Sequence, residues 1–93
     1  DPVDQVANFG LGSVYHDLKR YDEALPPLQT VVKQYKDYSA AYVLLGKTME
    51  KLSRQDEAIQ TYREGIAVAS KKGDLMPLKE MQQKLNQLLH SNP

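Results

Sequence analysis

At 93 residues with no cysteine, the chain is one small domain without disulfides, thiol chemistry or a cysteine-ligated zinc site. Twelve basic side chains cancel twelve acidic ones, so no net positive field draws in nucleic acid or an anionic membrane surface. With 41% hydrophobic and 26% charged residues the composition is that of a globular protein, and no apolar run approaches the roughly 20 residues of a membrane helix.

No charged-then-apolar leader opens the chain. The lack of cysteine fits a reducing compartment, so the cytoplasm is expected, with the periplasm left open. A first residue other than Met reads as a processed product or a fragment.

Taken in order, Asp1-Pro2-Val3-Asp4 reads as a helix start, with Asp1 as cap, Pro2 at the first helical position and Asp4 at the positive helix end. Val3, Val6, Ala7, Leu11, Val14, Tyr15 and Leu18 then recur at spacings of three and four, which predicts a helix to about Leu18. Lys19-Arg20 connects to a second helix, about Tyr21 to Tyr35, whose stripe is Ala24, Leu25, Leu28, Val31, Val32 and Tyr35. Pro26-Pro27 falls just past its first turn, where few backbone bonds exist to be lost, so a disturbed start is expected and not a break.

Lys36-Asp37-Tyr38 is the next connection, with Asp37 or Ser39 available as a cap. A third helix is predicted from about Ser39 to Leu52 and a fourth from about Arg54 to Lys71. Lys71-Lys72-Gly73 ends the fourth with cations at the negative end and a glycine free to take positive φ. Asp74 caps a fifth helix to about His90, and Ser91-Asn92-Pro93 should fray.

One stretch occurs twice. Leu11-Gly12, Tyr15 and Asp22-Glu23-Ala24 are matched by Leu45-Gly46, Met49 and Asp56-Glu57-Ala58 at a constant offset of 34 positions. A fixed period of that size marks stacked helix–turn–helix units. Glycine in mid-helix costs about 1 kcal/mol relative to alanine. Its recurrence at Gly12 and Gly46 therefore predicts close backbone approach, with Ala24 and Ala58 as the facing surface. Leu11, Tyr15 and Leu28, with Leu45, Met49 and Tyr62, are expected to fill the space around those contacts.

These residues resemble the tetratricopeptide repeat (TPR) family, whose pattern pairs an aromatic, Leu-Gly and Tyr on one helix with Ala, an aromatic and a terminal Pro on the next. Leu11-Gly12, Tyr15 and Ala24 match in the first unit, with Leu28 in the second aromatic's place; Tyr42, Leu45-Gly46, Ala58 and Tyr62 match in the second. Asn8, Met49, Lys36 and Ser70 depart from the pattern, and Lys79-Glu80 stands where a third Leu-Gly would fall. The resemblance implies an all-α, right-handed stack of antiparallel helix pairs with five helices. Repeat one covers about 5–38, repeat two about 39–72, and a terminal capping helix about 74–90. In the same phase, Pro2 falls where the Pro ending an earlier repeat would stand, so the chain is also readable as the C-terminal part of a longer array.

In that family the first helices of successive units line a concave groove that usually holds a peptide or partner helix. The resemblance places Val6, Phe9, Ser13, His16 and Asp17 there from the first unit. It adds Ala40, Val43, Lys47, Glu50 and Lys51 from the second unit, and Pro77, Met81 and Lys84 from the capping helix. One end of this groove is apolar and the other polar with mixed charge, which suits a protein or peptide with an apolar anchor beside polar groups. Two other readings of the apolar end stay open: cover by an upstream repeat, or a self-association surface. Leu78, Met81, Leu85 and Leu88 also suit a short coiled-coil seam, and hence a homo-oligomer, although so short a seam favours intramolecular capping. The Lys/Asn clamp by which some chaperone-binding members hold a C-terminal carboxylate would fall at Phe9 and Ser13, which cannot form it.

Catalysis finds no constellation. His16 and His90 are far apart in sequence, neither has metal-type spacing, no glycine-rich phosphate loop exists, and the serines have no evident base. The expectation is a non-catalytic binding scaffold without metal or cofactor.

Overall fold

The computed structural model describes residues 4–90, and within them the chain forms five α-helices and no strand. They are α1 (Gln5–Asp17), α2 (Tyr21–Gln34), α3 (Ser39–Lys51), α4 (Gln55–Lys72) and α5 (Leu75–His90). The expected cap at Asp1, the repeat tail at Pro2 and the fraying of Ser91-Asn92-Pro93 lie outside the described residues.

The helix starts follow from local chemistry. Asp4 caps α1: its carboxylate accepts from the N–H groups of Val6 (3.0 Å) and Ala7 (3.1 Å). At α3 neither Asp37 nor Ser39 caps with its side chain. Ser39 instead donates its hydroxyl to Asp74 at the start of α5 (2.8 Å). α2 runs unbroken through Pro26 and Pro27. The carbonyls deprived of a partner there, on Asp22 and Glu23, belong to exposed residues that water reaches.

The helix ends share one device. Lys19, Ser53 and Gly73 all take positive φ (63°, 59° and 75°) just after α1, α3 and α4. Each lets the next N–H reach back five residues: Arg20 to Tyr15 O, Arg54 to Met49 O and Asp74 to Ala69 O, at 2.8–2.9 Å. Only Gly73 is foreseeable from residue type.

α2 packs between α1 and α3, and α4 between α3 and α5, so the odd helices form one layer and the even helices the other. The slab measures 44 × 30 × 17 Å, thin enough for two helix layers. Tyr62, Leu28, Met81, Val31 and Thr48 are fully buried between them, beside Ala24 and Ala58.

The duplicated glycines do mark close approach, but the facing residues are not the alanines. A Cβ on Gly12 would lie 2.5 Å from Cγ of Leu28, and one on Gly46 would strike the Tyr62 ring. Each glycine is a notch that receives a large side chain from the second helix of its pair, while Ala24 and Ala58 are buried alongside. A second expectation also shifts. Leu45 is 3% exposed but Leu11 is 47% exposed, because α2 covers that face of α3 and no described helix covers the same face of α1.

The notch predicts opposite outcomes at neighbouring glycines. Nothing lies within 4 Å of a Cβ placed on Gly10. Gly10→Ala should therefore raise stability by about 0.5–1 kcal/mol through helix propensity. Gly12→Ala should lower it by about 1–2 kcal/mol, since Leu28 is fully buried and has nowhere to retreat. Urea unfolding of the two variants checks this; shifts of the same sign would refute the notch.

Candidate functional site

α1, α3 and α5 lie side by side and leave a groove on the odd-helix face that divides into two cavities. The connection before α3 sets its shape. Tyr42 donates its hydroxyl to Lys36 O (2.9 Å) and Lys72 donates to Asp37 O (2.7 Å), which pins the Lys36-Asp37-Tyr38 turn against the second helix pair. Tyr38 then rests against Phe9 with ring centroids 5.1 Å apart, which holds Phe9 at the groove wall.

The first cavity, about 320 Å³, is apolar: Phe9, Ala40, Val43, Leu44, Met76 and Pro77 form most of it, with Ser13, Lys47 and Glu80 at its polar edge. The second, about 400 Å³, is polar and lined by His16, Lys47, Glu50, Lys51 and Lys84. Lys47 borders both. Its ammonium pairs with Glu80 of α5 at 2.5 Å, so this ion pair bridges two helices and divides the groove. Glu80 thus turns to Lys47 and not to Lys84, four residues on along its own helix.

Hydrogen bonds fix the polar cavity's wall. Thr48 Oγ donates its single proton to Leu44 O (2.8 Å), so the 2.9 Å contact with His16 Nδ1 is donated by the imidazole. The neutral ring therefore carries its proton on Nδ1 and leaves Nε2 as the acceptor. Burial pushes the His16 pKa below its ordinary value; Lys47 and Lys51 push the same way, and Asp17 partly opposes them. Tyr21 meets the ring edge-on, with centroids 5.2 Å apart. Across the cavity, Tyr62 donates its hydroxyl to Glu50 at 2.5 Å, which ties a groove carboxylate directly to the core.

Of the residues expected at the groove, Phe9, Ser13, Val43 and Lys47 border the apolar cavity, with Ala40 and Pro77. His16, Glu50 and Lys47 border the polar one, with Lys51 and Lys84. Val6, 79% exposed, and Asp17 border neither. Met81 is not at the groove but fully buried against Gly65 of α4. Leu44, Met76 and Glu80 complete the walls unannounced. The only signal for Glu80 was a lysine on another helix, and no local pattern couples the two. Leu78, Leu85 and Leu88 pack with Met81 against the core, so the proposed coiled-coil seam is used within the chain.

No described helix is long and apolar enough to cross a membrane. The tetratricopeptide repeat model matches residues 4–71. A TPR repeat-containing protein of Pseudomonas aeruginosa is 38% identical over 73 residues, which is 78% of this chain and 70% of that protein. The crystal structure of a tetratricopeptide repeat domain protein from Salinibacter ruber superposes with a TM-score of 0.88 at 30% identity, covering 96% of this chain and 100% of that one. A solution structure of a Bordetella parapertussis protein gives 0.85 at 32% identity, covering 95% and 76%. Sequence, period and helix stacking thus agree, and the chain belongs to the tetratricopeptide repeat family, whose members generally serve as non-catalytic scaffolds for protein–protein interaction.

Proposed function

We propose that the chain is a non-catalytic module that binds a protein segment or peptide in the groove between α1, α3 and α5, with residues 5–38 and 39–72 as repeats and 74–90 as the cap. The observation that carries this reading is the junction at Lys47, where an apolar cavity meets a polar one. An apolar anchor flanked by hydrogen-bonding groups is the composition of a protein contact, not of a reaction centre. Peptides selected from a displayed random library on the intact chain test it. Phe9→Ala should weaken the selected peptides about tenfold or more, and Lys47→Glu, which also breaks the Glu80 pair, should weaken them as well. Binding unchanged in both variants moves the site off this face.

A second reading has its own observation. Leu11 and Val14 of α1, with Leu18 just after it, form an exposed apolar face, whereas Leu45 and Thr48, 34 positions on from the first two, are buried. A second copy of the chain, or a preceding helix of a longer array, would cover that face. Light scattering after gel filtration separates the cases: a mass that rises with concentration supports self-association, and a constant monomer removes it.

A further inference from the structure

We infer that the polar cavity is a subsite for an acidic side chain, so that the groove's occupant carries an aspartate or glutamate at a fixed distance from its apolar anchor. This rests on the groove reading above and adds the partner's chemistry to it.

The inference follows from which charges around the cavity are already engaged. Lys47 is paired with Glu80 at 2.5 Å. The Glu50 carboxylate is held by the Tyr62 hydroxyl at 2.5 Å, and because that donor is neutral Glu50 keeps its charge, which offsets one of the ammoniums of Lys51 and Lys84 and leaves the cavity with one excess positive charge. Among the described residues, Lys51 of α3 and Lys84 of α5 have no carboxylate within ion-pair distance, yet both line the same cavity. Two ammoniums that line one concavity repel each other. A carboxylate placed between them relieves it and gains charge-assisted hydrogen bonds.

The rest of the wall is suited to hold such a group. His16 lines the cavity and is held there by its bond to Thr48. The volume, about 400 Å³, admits a carboxylate with its hydration shell. The Lys47–Glu80 pair stands between this cavity and the apolar one, so a chain running along the groove meets the anchor site first and the ammoniums next. Phe9 lines the apolar cavity and these ammoniums line the polar one, so a chain anchored at Phe9 that continues along the groove brings an acidic side chain to them.

The test uses the intact chain and 12-residue peptides selected on it from a random displayed library, then synthesised and titrated by calorimetry. Expected are peptides enriched in aspartate or glutamate at one spacing from a large apolar residue. Replacing that acid by its amide should weaken binding about tenfold to wild type but hardly at all to the double variant Lys51→Glu/Lys84→Glu. Phe9→Ala should weaken acid and amide peptides alike. Selected peptides without an acidic preference, or an amide peptide that binds wild type equally well, overturn the acidic subsite. If those peptides still fail on Phe9→Ala, the groove reading survives. Peptides indifferent to Phe9→Ala, or no selection at all, remove the groove and the subsite together. Circular dichroism of each variant confirms that the helices are intact.

Discussion

Tyr62→Ala is expected to cost about 3–5 kcal/mol, a large share of the roughly 5–14 kcal/mol that a chain of this length holds. The ring is fully buried and sits in the notch of Gly46, so its removal leaves a cavity between α3 and α4 that cannot close. The hydroxyl adds a second tie. Burial, and then the hydrogen bond to Glu50, hold the phenol well above its ordinary pKa, so it stays a protonated donor at every working pH. Tyr62→Phe keeps the ring and loses only that bond, for about 0.5–1.5 kcal/mol. Urea unfolding should show the midpoint falling by more than about 1 M for the alanine variant and by much less for the phenylalanine variant. Equal losses would show that the hydroxyl, not the notch, holds α4.

A double-mutant cycle isolates the notch itself. Gly46→Ala alone should destabilise, since the new methyl meets a ring anchored at its hydroxyl end. In the Tyr62→Ala background the obstacle is gone, and the same substitution should stabilise by about 1 kcal/mol through helix propensity. A sign that does not reverse would mean that Gly46 is retained for a reason other than Tyr62.

The parts of this fold that were legible were those written twice. Leu-Gly and Asp-Glu-Ala, 34 residues apart, give the period, the helix pairs and the family, because a repeated local pattern needs no knowledge of what lies across the core. The identity of the facing residue was not legible. Gly12 meets Leu28 and Gly46 meets Tyr62, and spacing alone could not rank these above Ala24 and Ala58. Lys19 and Ser53 take positive φ although neither type favours it; the position after the helix imposes the conformation, not the residue. At the groove, Phe9, Val43 and His16 were named through the family resemblance, and they line its two cavities. Glu80 was not, because its partner Lys47 comes from another helix and displaces the sequence-local choice, Lys84. Exposure of Leu11 was equally hidden, since an apolar stripe does not state whether a neighbour covers it.

Met81→Ala carries the other large effect, about 2–5 kcal/mol, and it should be felt locally. Met81 is the one fully buried side chain of α5, with its sulfur and terminal methyl in a notch at Gly65 beside Tyr42. Val31, the counterpart of Gly65 in the first unit, is itself buried, so the second unit has exchanged a core side chain for a socket that receives the cap. Truncating the methionine empties the socket and leaves α5 held by half-buried leucines, the Ser39–Asp74 hydrogen bond before its first turn and the partly exposed Lys47–Glu80 pair, which contributes little in water. Hydrogen exchange should show amides of residues 75–90 losing protection well before those of α2 and α3. Gly65→Ala should do the same from the other side, because its Cβ would meet both the Met81 sulfur and Cβ of Tyr42. Met81→Leu, close in volume but branched at Cγ and without the terminal methyl that reaches the notch, should fall between wild type and the alanine variant. Because Met76, Pro77 and Lys84 ride on α5 into both groove cavities, a loosened cap should also weaken peptide binding without any change in a groove residue. Protection lost evenly along the chain would instead mean that α5 and the repeats unfold as one unit.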